Sequence, residues 1–190
     1  MTEKSRRMWK IVALSLIMLS GSGCSPLSDE STTIKPSSLS SFSADTNAEV
    51  GSRNNPIALG DVAIVNDWQV QITSVNKNAL KLVMDSDDYA SPPASNQRFV
   101  LFNISATYIG EESGDPRSEL QFKIVGNRGN TFSKSCSYSV NTFEENEETF
   151  TGATVTGDLC FIVDANQISG ATILIQADYS SQERKFVLID

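Results

Sequence analysis

Two carboxylate groups and one serine–lysine pair are the residues whose type and spacing could do chemistry. Asp85, Asp87 and Asp88 stand in the run Asp85-Ser-Asp-Asp88, where hard oxygen ligands could contribute to a Ca²⁺ site. The longer ligand series, central glycine and distal glutamate of an EF-hand are missing, and the competing reading is a solvated acidic loop. Glu144, Glu145, Glu147 and Glu148 crowd the segment between Phe143 and Phe150. Like charges this close repel, so the segment is expected to be extended or mobile unless counterions intervene, and it is a candidate interaction loop for cations or a basic protein surface. Ser74 and Lys77 have the spacing of a serine nucleophile and its activating lysine, yet the serine ends a strand pattern and the companion motifs are absent. The 190 residues include no histidine, which removes the commonest general base and a favoured zinc ligand. No Walker A loop or dinucleotide fingerprint is present. The expectation is a protein that is not an enzyme, with no catalytic residues and no cofactor.

Charge excludes another class. Fifteen Lys and Arg stand against 23 Asp and Glu, a net charge of −8, which argues against nucleic acid as a partner held through its phosphates. The positive charge is concentrated at the start of the chain, where Lys4, Arg6, Arg7 and Lys10 precede the apolar run Ile11–Leu19. That is the layout of a secretory signal, and the run is about half of the ~20 residues a transmembrane helix requires. Ser20-Gly-Ser-Gly23 then leads into Cys24. Small residues before a cysteine after such a run resemble the lipobox of bacterial lipoproteins, although Gly21 stands where an aliphatic residue is usual. The resemblance implies cleavage before Cys24, a diacylglycerol thioether on its sulfur, and membrane partnership through acyl chains, each buried methylene adding about 0.8 kcal/mol. Cleavage would remove four of the 15 basic and one of the 23 acidic residues, leaving a net charge of −11. With Cys24 lipidated, Cys136 and Cys160 remain as an even pair in an exported domain, and a disulfide between them is expected.

These residues need elements to place them. Residues 25–50 are rich in Ser and Thr and show no periodic apolar face; such composition cannot offset chain entropy, so a flexible tether is expected. After Gly51 the texture becomes β-branched and aromatic runs punctuated by Gly, Asn, Asp and Pro. Trp68, Val70 and Ile72 alternate with polar residues, as do Val100, Phe102, Ile104, Ala106 and Tyr108, with Phe99 and Leu101 adding burial. Leu120, Phe122 and Ile124 precede the turn Asn127-Arg-Gly-Asn130; Leu159, Phe161 and Val163 continue the pattern, and 171–177 and 185–189 close it. About eight antiparallel strands with no convincing intervening helix favour two packed sheets, with a closed barrel as the alternative. Trp68 and Tyr108 read as core residues.

Residues Asn55–Asp61, Trp68–Val75, Arg98–Tyr108, Phe122–Phe132 and Val155–Val163, in that order, resemble a bacterial lipoprotein domain family of unknown function. That family is similar in fold to a secreted mycobacterial immunoprotective antigen, and the resemblance covers residues 51–190. It implies an all-β, immunoglobulin-like antiparallel β-sandwich and carries no active site to transfer. The expected organisation is a signal peptide over 1–23, a lipidated cysteine and tether over 24–50, and the sandwich over 51–190. The expected role is a binding or interaction module facing the extracytoplasmic side of the bacterial cell membrane, with an envelope protein as partner. A small-ligand or cation sensor is the alternative.

Overall fold

The computed structural model describes residues 48–138, 140–145, 147–177 and 183–190. The expected signal peptide, Cys24 and nearly all of the tether lie outside the described residues. The first sheet has the order β1-β2-β3-β8, built from Val62–Val65, Trp68–Asn76, Gln97–Tyr108 and Thr154–Asp164. To keep numbering in chain order, β4 is Ser113–Gly114, β5 Gln121–Val125, β6 Thr131–Phe132, β7 Thr149–Phe150, β9 Thr172–Gln176 and β10 Arg184–Leu188. The second sheet has the order β10-β9-β5-β6, and β4 and β7 form a two-residue ribbon. Every ladder is antiparallel.

The two sheets face each other through residues of alternating parity, as period-two patterning requires. Trp68, Val70 and Ile72 of β2 and Val100, Phe102, Ile104 and Ala106 of β3 meet Ile124, Ile173, Ile175 and Val187 from the other sheet, all within 1% of full burial. The immunoglobulin-like antiparallel β-sandwich expected from the sequence is the fold, with a particular of its own in the connections. The third long strand stays beside the second, whereas in an immunoglobulin domain strand C crosses to the other sheet; here the crossing comes at β5.

The closed-barrel alternative gives way to two sheets bridged at their corners. Ile57 lies parallel to Val187 of β10, and Ser135 pairs with Phe161 of β8. Two short helices interrupt what the sequence reads as uninterrupted β structure. The first, α1 (Leu80–Ser86), buries Val83 alone among its seven residues, which hides its amphipathic period. Seven residues are marginal as an isolated helix. The helix is held by Val83 packing on Phe99, Leu101 and Cys160 of the first sheet's outer face, a burial worth roughly 1.5–3 kcal/mol. The second, α2 (Pro116–Glu119), is announced by Asp115 as N-cap and Pro116 in the first turn, where a missing N–H costs nothing.

Candidate cleft at the sandwich edge

A cleft of about 410 Å³ lies between β5 of the second sheet and β8 of the first. Its apolar wall comes from Leu120, Phe122, Phe143, Leu159 and Phe161, and Arg117, Lys123 and Glu144 stand on its rim. The aromatic wall is continuous with the core. Phe122 meets Phe143 edge-on at 5.6 Å between centroids, and Phe102 lies 6.3 Å from Phe122 and 5.8 Å from Phe161. Such tilted arrangements are the favoured ones for rings whose faces are negative and edges positive.

Each wall has a local cause. Phe143 opens a 3₁₀ turn, Phe143–Glu145, that lies directly on β8. It can do so because residue 157 is glycine: a Cβ there would come within 2.5 Å of the Phe143 backbone nitrogen. The Asp158 N–H donates to the Asn141 carbonyl at 2.8 Å, fixing the same contact from the next residue. On the opposite wall, Asp115 Oδ1 accepts the Arg117 N–H at 3.0 Å, and the Arg117 guanidinium returns to the same carboxylate at 3.4 Å. Burial raises the Asp115 carboxyl, but the Arg117 N–H, its guanidinium and Ser118 together hold it below the usual carboxylate range. Glu119 accepts the Asp115 N–H at 3.0 Å and the Trp68 indole N–H at 2.8 Å. This ties α2 to the fully buried Trp68, itself 5.0 Å from the Tyr108 ring.

The four glutamates of the candidate interaction loop do not converge. Glu144 reaches the cleft, Glu145 ends the 3₁₀ turn facing solvent, Glu147 is exposed, and Glu148 accepts the Ser113 hydroxyl at 2.7 Å. The Phe143–Glu145 turn is held on β8 by Phe143 as a buried anchor and Gly157 as its seat, despite the repulsion between exposed carboxylates. The Asp85–Asp88 group is also dispersed. Asp85 belongs to α1 and pairs with Lys81 one turn earlier, Asp87 accepts the Tyr89 N–H at 2.9 Å, and Asp88 is exposed. Among the described residues no three His, Cys, Asp or Glu side chains are placed to hold a metal ion.

Cys136 and Cys160 are joined in a disulfide with Cα atoms 5.4 Å apart. It lies on the outer face of the first sheet, beside the cluster under α1, whereas the immunoglobulin bridge spans the two sheets. Cys136 N–H donates to the Cys160 carbonyl at 3.0 Å and Ile162 N–H to the Lys134 carbonyl at 2.9 Å. The bridge thus fastens the returning chain along the edge of β8. Ser74 and Lys77 do not form a nucleophile pair: Lys77 is bound to Asp190. Trp68 and Tyr108 are core residues, 0% and 6% exposed.

Reading the sequence alone misses Arg117, Leu120, Lys123 and Phe143 as neighbours. The Asp115-Pro116 helix start was the available signal for the first two; nothing local announces that Gly157 seats Phe143.

No family model matches the chain, and no curated protein matches it. Solved structures of similar fold include the following three. The ycdA lipoprotein candidate of Bacillus subtilis is 15% identical with a TM-score of 0.48, over 68% of this chain and 38% of that one. This chain therefore spans less than half the length of that protein. A conserved hypothetical protein of Bacillus anthracis is 11% identical with a TM-score of 0.47, over 68% and 94% of the two chains. The yjhA protein of Bacillus subtilis is 13% identical with a TM-score of 0.47, over 70% and 99%.

Proposed function

We propose that the chain is a lipid-anchored, extracytoplasmic binding module of the bacterial envelope. In this reading the β-sandwich engages an envelope protein through the cleft beside β8, and the Ser/Thr-rich segment after Cys24 sets its reach. The observation that carries the binding role is the cleft itself: about 410 Å³, aromatic-walled, with Arg117, Lys123 and Glu144 around it. Interaction hot spots place an apolar anchor in a pocket ringed by polar contacts, and this cleft has that form. Its volume also falls within the range of small-molecule sites, which favours as second reading a small organic ligand bound without catalysis. Neither reading assigns a chemical step to any side chain.

The anchor rests on the basic start, the apolar run and the small residues before Cys24. With a net charge of −11 after cleavage, attraction to anionic headgroups is unfavourable and the acyl chains must supply membrane affinity. Ser133 is an exposed residue on the cleft rim, so Ser133→Trp would fill the cleft from outside without touching the core. Crosslinked complexes recovered from intact cells should lose one recurrent partner in this variant while its unfolding midpoint is unchanged. Identical complexes from native and filled chains would sink the cleft as the binding site.

A further inference from the structure

The chain closes most of its own sheet edges. Along β8, Cys136 N–H donates to the Cys160 carbonyl, Ile162 N–H to Lys134 and Asp158 N–H to Asn141. Along β10, Ile57 N–H donates to Phe186, Leu188 N–H to Ile57 and Phe186 N–H to Gly51, each at 2.8 Å. The fourth edge, β6, is two residues long and runs on into the segment that covers β8.

β1 differs. Among the described strands it pairs only with β2, in the register Val62↔Gln71 to Val65↔Trp68. Tyr108, opposite Trp68 on the far flank, commits its N–H to Ala153 and its carbonyl to Gly152. Trp68 and, by alternation, Val70 therefore turn their backbone groups toward β1, where they meet Val65 and Ala63. The N–H and C=O of Val62 and Ile64 point the other way, and no other described strand pairs with them. Their side chains are each 52% exposed. The strand carries no lysine, proline or bulge of the kind that blunts edges. Exposed carboxylates, Asp61 and Asp67, stand just before and just after it, and neither is in an ion pair among the described residues. The half-buried Glu183 accepts the Asn66 N–H at 3.2 Å.

We infer that β1 is a docking edge for an extended polypeptide with β-branched apolar residues at its centre and Lys or Arg at both ends. Strand addition would satisfy the backbone groups of Val62 and Ile64 and cover their side chains, while the basic ends would meet Asp61 at one end and Asp67 at the other. A second copy of the chain is the poorer occupant, because antiparallel self-pairing brings Asp61 of each copy beside Asp67 of the other. The edge lies across the first sheet from the cleft and does not depend on it.

The test uses the full-length chain and two synthetic nine-residue peptides with the same alternating valine–threonine centre, one flanked by two lysines at each end and the other by two glutamates. The lysine peptide should bind at least about tenfold more tightly and slow hydrogen exchange at the Val62 and Ile64 amides. Val62→Pro removes a donor that the β1–β2 ladder does not use, and should weaken binding several-fold with the unfolding midpoint unchanged. Should that variant fail to fold, Ile64→Lys, at an exposed position, should weaken it instead. Equal binding of the two peptides, protection elsewhere, or native affinity in the folded variant would overturn the inference. So would dimerisation with β1 protected in the absence of peptide, which would make a second copy the occupant.

Discussion

Gly157 governs more of the cleft than any charged residue, because it decides whether the Phe143 turn can lie on β8. Its closest neighbours are backbone atoms of Phe143 and Thr142, which cannot rotate aside. Gly157→Ala is therefore expected to destabilise the fold by about 1–3 kcal/mol, the usual cost of overpacking, and to displace Phe143 and Glu144 together. Urea denaturation gives the first quantity; chemical shifts of the Phe143–Glu145 turn give the second. A neutral midpoint with unchanged shifts would show that the turn is seated by something else. Glu119 makes a similar case for polar satisfaction. It is the acceptor for both the Trp68 indole and the Asp115 N–H, so Glu119→Leu leaves a buried donor without a partner, at a cost of about 1–3 kcal/mol. Trp68 emission read through a denaturant titration would report it.

At the scale of elements, a helix cap holds one wall of the cleft and a crosslink fastens the chain that covers β8. Asp115 caps α2 with its carboxyl held below the usual range. A depressed carboxyl stabilises the folded state above its unfolded pKa of about 3.9, and that contribution is lost as pH falls through the lower folded value. An NMR titration should find Asp115 ionising below a model aspartate, and Asp115→Asn, which caps without ionising, should remove its share of the acid sensitivity; a normal Asp115 titration would contradict the cap. The Cys136–Cys160 bridge closes a loop of 24 residues' separation, worth about 3 kcal/mol in the chain-entropy model. Non-reducing peptide maps should join these cysteines, and Cys136→Ser should lower stability by about that amount. Free thiols, or an unchanged midpoint, would remove the bridge from the account. The long strands were legible because Trp68, Val70 and Ile72, and the alternate residues from Val100 to Tyr108, bury one face at period two. β1 was not: Val62-Ala-Ile-Val65 is four apolar residues with no visible alternation, and only burial separates Ala63 and Val65 inside from Val62 and Ile64 outside. Glu144 was legible as charge, but its neighbours Arg117 and Lys123 come from α2 and β5, and no local pattern reports such a meeting.

Over the whole molecule, acidity and anchoring pull in one direction. A chain with 23 carboxylates against 15 cations gains nothing from anionic surfaces, so in the proposed reading its membrane affinity would have to come from acyl chains on Cys24. Cys24→Ala should move the protein out of the membrane fraction or leave it at its unprocessed size; unchanged retention and size would remove the lipid anchor. The central claim, that the cleft beside β8 is where this module meets its partner, is tested most directly by a photoreactive residue placed in turn at position 144, on the cleft rim, and at position 107, on the outer face of the first sheet. In intact cells the account predicts one recurrent adduct from position 144, reduced when Cys24 is replaced and missing from position 107. Equal adducts from both positions, or none from position 144, would contradict it.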